Sequence, residues 1–171
     1  MGEGLMKTLY CLNNTKNELQ EVMTREVMIM RNLLTSLQDE HNAIIQANEK
    51  IFEDIMEERI QIVSSFEQWS EKLIFITIKL AEELGVVLSN NLNLRHSEAI
   101  EILETCLALD DFELVYLRTQ IETLIEEIHY QNNINAQLIQ NKTTFSYRIF
   151  QKKQEVHQIA KAKITLAVLD R

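Results

Sequence analysis

Met23, Val27, Met30, Leu34, Leu37, His41 and Ile44 follow one another at alternating steps of four and three. That spacing holds them on one stripe of an α-helix and forms the seam of a helix lying along a neighbour. Leu33 and Ile45 widen the stripe towards a bundle face. Upstream, Thr15 and Glu18 have the spacing of a capping box, hydroxyl to the N3 amide and carboxylate back to the cap amide, so a helix is expected to open at residue 15. Around residues 46–49 the stripe changes phase, and Asn48 before Glu49 suits an N-cap; a kink or short break is expected there. A second stripe then runs through Ile51, Phe52, Ile55, Met56, Ile62, Val63, Phe66, Trp69, Leu73, Ile76 and Leu80 to Leu84. Gly85 stands where a left-handed C-cap belongs.

Residues 86–96 lack charge until Arg95 and contain Ser89-Asn90-Asn91, which predicts the main loop. Ser97 backed by Glu98 predicts a short helix reaching about Leu109. Asp110 and Glu113 repeat the capping-box spacing. Beyond them Leu114, Leu117, Ile121, Leu124, Ile128, Gln131, Asn135, Leu138, Lys142 and Phe145 keep three-four spacing. The expected helices are therefore 15–46, 48–84, 97–109 and 111–155, with a tail at 156–171. A helix of some 40 residues would measure about 60 Å, a length that belongs to bundles and coiled coils. The fold class read from this pattern is all-α, a single domain over 1–171 built as a bundle of three to four long antiparallel helices with coiled-coil-like packing.

Composition sharpens this picture. The 171 residues include no proline and three glycines, two of them at Gly2 and Gly4, so little interrupts a helix and little supplies the tight turns of a sheet protein. The net charge of −9 argues against nucleic acid as a partner, because phosphate neutralisation needs clustered Lys and Arg. The charge is polarised: residues 142–171 carry seven basic and two acidic side chains, a net +5, against −14 over residues 1–141. A basic tail lying against an acidic bundle is the simplest reading. The most apolar run, Leu73–Leu80, is too short to cross a bilayer and contains Lys79, so no membrane span is expected. Cys11 and Cys106 lie far apart without metal-ligand or redox spacing, as reduced thiols in a cytoplasmic protein would.

Catalytic chemistry finds no foothold. His41, His96, His129 and His157 have no serine or cysteine nucleophile in a strand-turn-helix setting, there is no Gly-rich phosphate loop, and no cofactor is expected. Glu126 and His129 have the i, i+3 spacing of a di-iron element, but such a site needs a second copy, which the sequence lacks. Met23, Met28, Met30 and Met56 put flexible thioethers into the first two helices, as core filling or as an adaptable surface. Asn135 is the informative polar residue. It falls on the apolar seam between Ile128 and Leu138, where an amide fixes register because slipped pairings leave it unsatisfied. Asn135→Leu is accordingly expected to raise thermal stability while blurring register.

Two stretches carry a family resemblance. The first runs from Arg31-Asn-Leu-Leu through Glu40, Ala43-Ile44, Asn48 and Glu58-Arg59 to Val63; the second runs from Glu127 through Asn132-Asn-Ile-Asn135-Ala-Gln-Leu138 to Ile139. Together, about a third of the chain, they resemble the FlgN family of flagellar type III secretion chaperones. Glu40, Asn48, Arg59, Asn132, Asn135 and Leu138 take the family-signature positions, with Arg59 in place of the usual lysine. The resemblance implies a cytoplasmic, non-enzymatic chaperone that binds the terminal helical segments of hook-associated proteins, prevents their premature assembly and delivers them for export; a homodimer is compatible with it. The tail lacks the family's customary Tyr and Gly. Its own apolar residues, Val156, Ile159, Ile164, Leu166, Val168 and Leu169, set among lysines, are the expected partner-binding set. The alternative is a structural coiled-coil component, such as the stalk of a secretion ATPase or a scaffold protein, which would be a narrow rod without an exposed apolar strip.

Overall fold

The computed structural model describes residues 2–87, 94–107 and 111–141. Four helices account for them: α1 (Gly2–Gln46), α2 (Glu49–Glu83), α3 (His96–Cys106) and α4 (Phe112–Asn141). The all-α bundle read from the pattern is what forms. α1 is its central member, packed along one side against α2 and along the other against α4, while α3 packs mainly on α2.

Between α1 and α2 the expected break is a complete reversal made by two residues. Ala47 takes a left-handed conformation, φ 52°. Its N–H donates to the Ile44 carbonyl at 3.2 Å and the Asn48 N–H to the Ala43 carbonyl at 3.0 Å, so the last carbonyls of α1 are satisfied by a Schellman-type close. Asn48 also opens α2, its Oδ1 accepting from the Ile51 N–H at 3.2 Å. The same close recurs after α2. Gly85 sits at φ 71°, and the Gly85 and Val86 N–H groups donate to the Glu82 and Ala81 carbonyls. A left-handed residue other than Gly carries a backbone penalty, so Ala47→Gly is expected to add about 0.5–1 kcal/mol of stability in urea denaturation.

Thr15 does not start a helix. α1 begins at Gly2 and runs through it, because nothing between the two positions breaks a helix. Glu18 is turned outward, to Asn14 Nδ2 at 2.8 Å and Lys79 Nζ at 3.1 Å. Thr15 itself is buried, and its hydroxyl donates to Glu83 Oε1 on α2 at 3.0 Å. Thr15→Val, which keeps the shape and removes the donor, is expected to destabilise by about 1 kcal/mol, read as a melting shift of roughly 2–4 °C.

α3 starts one residue earlier than Ser97 and ends at Cys106 rather than near Leu109. Its opening rests on the Glu98 carboxylate, which accepts from the Arg95 N–H at 2.7 Å. That bond, together with the Arg95 guanidinium, holds the Glu98 carboxyl below the ordinary glutamate range. The contribution is therefore present above that range and is lost as pH falls through the lowered value. α4 opens behind Asp111, whose carbonyl accepts from the Val115 N–H at 3.0 Å; Asp110 and the expected stretch of helix from 142 to 155 lie outside the described residues.

Contacts along the helices give their directions. On α2, Glu83 meets Thr15 and Arg59 meets Ser36, so α2 runs antiparallel to α1. On α4, Gln120 meets Arg31 and Asn135 meets His41, and just ahead of it Asp111 meets Lys16, so α4 runs parallel to α1. α2 ends beside Thr15 and α4 begins beside Lys16, at the same end of the bundle, so successive long helices alternate in direction. The large core gathers α1, α2, α3 and α4 around Met23, Val27, Phe66, Leu73, Leu103 and Ile121; a smaller one near the α1–α2 reversal holds Ile44, Phe52, Ile55, Met56 and Ile139.

Candidate functional site

Leu19, Glu26, Leu33 and Glu40 recur at steps of seven on α1, and all four are buried. The two glutamates on this stripe organise two buried polar clusters. The upper one contains three of the family-signature positions. Arg59, 6% exposed, reaches across from α2 with its fork: Nη1 donates to Glu40 Oε2 at 2.7 Å, Nε to Ser36 Oγ at 3.0 Å and Nη2 to the Ser36 carbonyl at 2.8 Å. From α4, Asn135 Nδ2 donates to the Leu37 carbonyl at 2.7 Å and to the same Glu40 oxygen at 3.1 Å. Asn135 Oδ1 accepts from Gln131 Nε2 at 3.0 Å and faces His41 Nδ1 at 3.2 Å. With both amide protons committed to acceptors, Oδ1 can only accept, which places the His41 proton on Nδ1. One carboxylate thus joins all three long helices at a single axial level.

Lysine could not replace this fork. A point ammonium has no rigid plane with which to meet a hydroxyl, a carbonyl and a carboxylate together. Asn48 caps α2, and Leu138 packs against the upper core beside Ile139. Asn132 is half-buried on α4. Val156, Ile159, Ile164, Leu166, Val168 and Leu169 lie outside the described residues.

The lower cluster is one that local spacing does not announce. His96, the first residue of α3, places Nε2 2.8 Å from Glu26 Oε1, and both side chains are 0% exposed. The Phe66 ring lies 5.4 Å from the imidazole, centroid to centroid. Glu26 Oε2 and His96 Nδ1 have no hydrogen-bond partner. A signal for Glu26 is present in the step of seven from Leu19 to Leu33, but its partner lies 70 residues away in the chain.

The outer face of α4 carries three exposed aromatic rings, two of them one turn apart. Phe112, Tyr116 and Tyr130 are 78%, 63% and 69% exposed and fall on the outer face of α4. Between them Thr119 and Thr123 turn their hydroxyls to the helix's own carbonyls, at 3.0 and 2.9 Å. Burial pushes the Cys106 thiol up, so it serves as a small core hydrophobe, whereas Cys11 is exposed. Glu126 is exposed and His129 half-buried, and among the described residues no group of three His, Cys, Asp or Glu is placed to hold a metal. No helix among them is long and apolar enough to cross a membrane.

No curated protein and no solved structure matches the chain. A sequence model of the family described as FlgN protein matches residues 6–161, a span that takes in α1 to α4, both polar clusters and part of the basic segment beyond Asn141. With nine-tenths of its length so matched, this chain belongs to the FlgN family of flagellar export chaperones, which is not a family of enzymes.

Proposed function

We propose that this protein binds the terminal helical segments of hook-associated proteins in the cytoplasm, keeps them from assembling prematurely and delivers them for type III export. The observation that carries the reading is the set of exposed aromatics, Phe112, Tyr116 and Tyr130, on one face of α4. A stalk or scaffold would leave no such aromatic face, whereas an amphipathic client helix needs one to lie on. Val156, Ile159, Ile164, Leu166, Val168 and Leu169 extend the contact area, and the neighbouring lysines steer an acidic client segment.

The test is affinity for a purified hook-associated protein. Tyr116→Glu with Tyr130→Glu is expected to weaken binding at least tenfold while the circular dichroism spectrum stays that of the parent. Val156→Asp with Ile159→Asp is expected to weaken it comparably. Undiminished affinity in both double variants would remove the client-binding assignment.

A further inference from the structure

α3 lies in a trough between α2 and α4, held by His96 to Glu26 and Phe66 and by Arg118 on α4, whose Nη1 lies 3.4 Å from Glu104 Oε2. With 11 residues, α3 is about 16 Å long, while the 30 residues of α4 extend about 45 Å. α3 therefore fills only the lower part. On α2, the residues facing the trough at steps of seven are Ala81, Ile74, Glu67, Ile60 and Glu53. Their exposure follows α3: Ala81 is 0% exposed, Ile74 and Glu67 are half-buried, Ile60 is 39% exposed and Glu53 is exposed. Across from them on α4 stand Ile125, His129, Asn132 and Ala136, all half-buried.

Glu53 and Glu67 line the α2 side of this upper trough and Glu122, half-buried and one heptad before His129, the α4 side. From Thr119 to Asn141, α4 has no Lys or Arg. α4 delivers the chain at Asn141 to the end of the bundle where α1 turns into α2, at the open mouth of the trough. Beyond Asn141 lie 30 residues of net charge +5, with Phe145, Ile149, Val156, Ile159 and Leu166 recurring at steps of four, seven, three and seven. From the level of Glu26, where α3 begins, to Gln46 the trough runs for about 30 Å; thirty residues of helix would span about 45 Å. We infer that the upper trough, between Glu53, Ile60 and Glu67 on α2 and Ile125, His129 and Ala136 on α4, is the resting seat of the chain's own basic segment 142–171.

The inference concerns the tail's position; its consequence rests on the chaperone reading. A seated tail turns its apolar residues towards the trough, so a client helix must draw it out before using them, and the seat sets a threshold on client affinity.

A benzophenone amino acid at Ile60 in the full chain tests the seat. Illumination is expected to give a monomeric product in which Ile60 is joined to a peptide from 142–171, while the same probe at Met28, on the outer face of α1, gives none. Glu53→Lys with Glu67→Lys should reduce that product at least fivefold, and adding Lys152→Glu with Lys153→Glu should restore it. Products joined to a second molecule, or a folded protein with no crosslink to 142–171, would overturn the inference. If the crosslink forms but the charge-reversed protein binds client no more tightly, the seat stands and its regulatory consequence falls.

Discussion

Arg59→Ala is expected to lower the unfolding free energy by about 3–5 kcal/mol, the range for breaking a buried ion pair from one side. At this chain length that is a melting shift of roughly 6–20 °C. The reason lies in what remains: Glu40 would keep its charge in the middle of the bundle with the 2.7 Å guanidinium contact removed. Arg59→Lys should fall between the alanine variant and the parent, since it keeps the charge but cannot serve Ser36 and Glu40 together. Arg59→Met combined with Glu40→Leu should be far milder than Arg59→Ala, because no buried charge is left alone. Equal losses in the single and double variants, measured by urea denaturation, would show that packing rather than charge governs this position.

Asn135→Leu is expected to destabilise by about 1–3 kcal/mol. The sequence pattern alone predicts the opposite sign, since an apolar residue on a seam ordinarily packs better than an amide. The structure reverses it: Asn135 is fully buried, and its amide both supports the Glu40 carboxylate and collects Gln131 and His41. Leucine would remove one of the donors that make the buried carboxylate tolerable and leave the ends of two partners without their acceptor. A variant more stable than the parent in thermal unfolding would show that the network is held for register alone.

What the sequence makes legible is whatever local spacing encodes. The reversal at 46–49, the Asn48 cap, the Gly85 close and the seam position of Asn135 all depend on residues within two or three turns of one another. Thr15 misleads because the same three-residue spacing that caps a helix also occurs inside one; only the absence of any breaker between Gly2 and Thr15 argues against a start there. Glu40, Arg59 and Asn135 are singled out by resemblance, but their meeting is not, since the partners are 19 and 95 residues apart. The His96–Glu26 pair escapes for the same reason. A glutamate in a leucine stripe says that a partner exists, and only the tertiary structure says which.

The parallel alignment of α1 and α4 has a kinetic consequence. The hydrogen bonds between these two helices join residues 89 to 98 positions apart, while the α1–α2 hairpin closes through two residues. Loop-closure entropy must be met before contacts of such separation contribute, which makes α4 docking the late step of folding. On the ribosome the order is stricter still. The α1–α2 hairpin can form while α4 is unsynthesised, with Glu40 and Arg59 already paired and the Asn135 side of their cluster open to water. The nascent hairpin therefore waits with one flank of its core exposed, and closing that flank is the event that completes the native state.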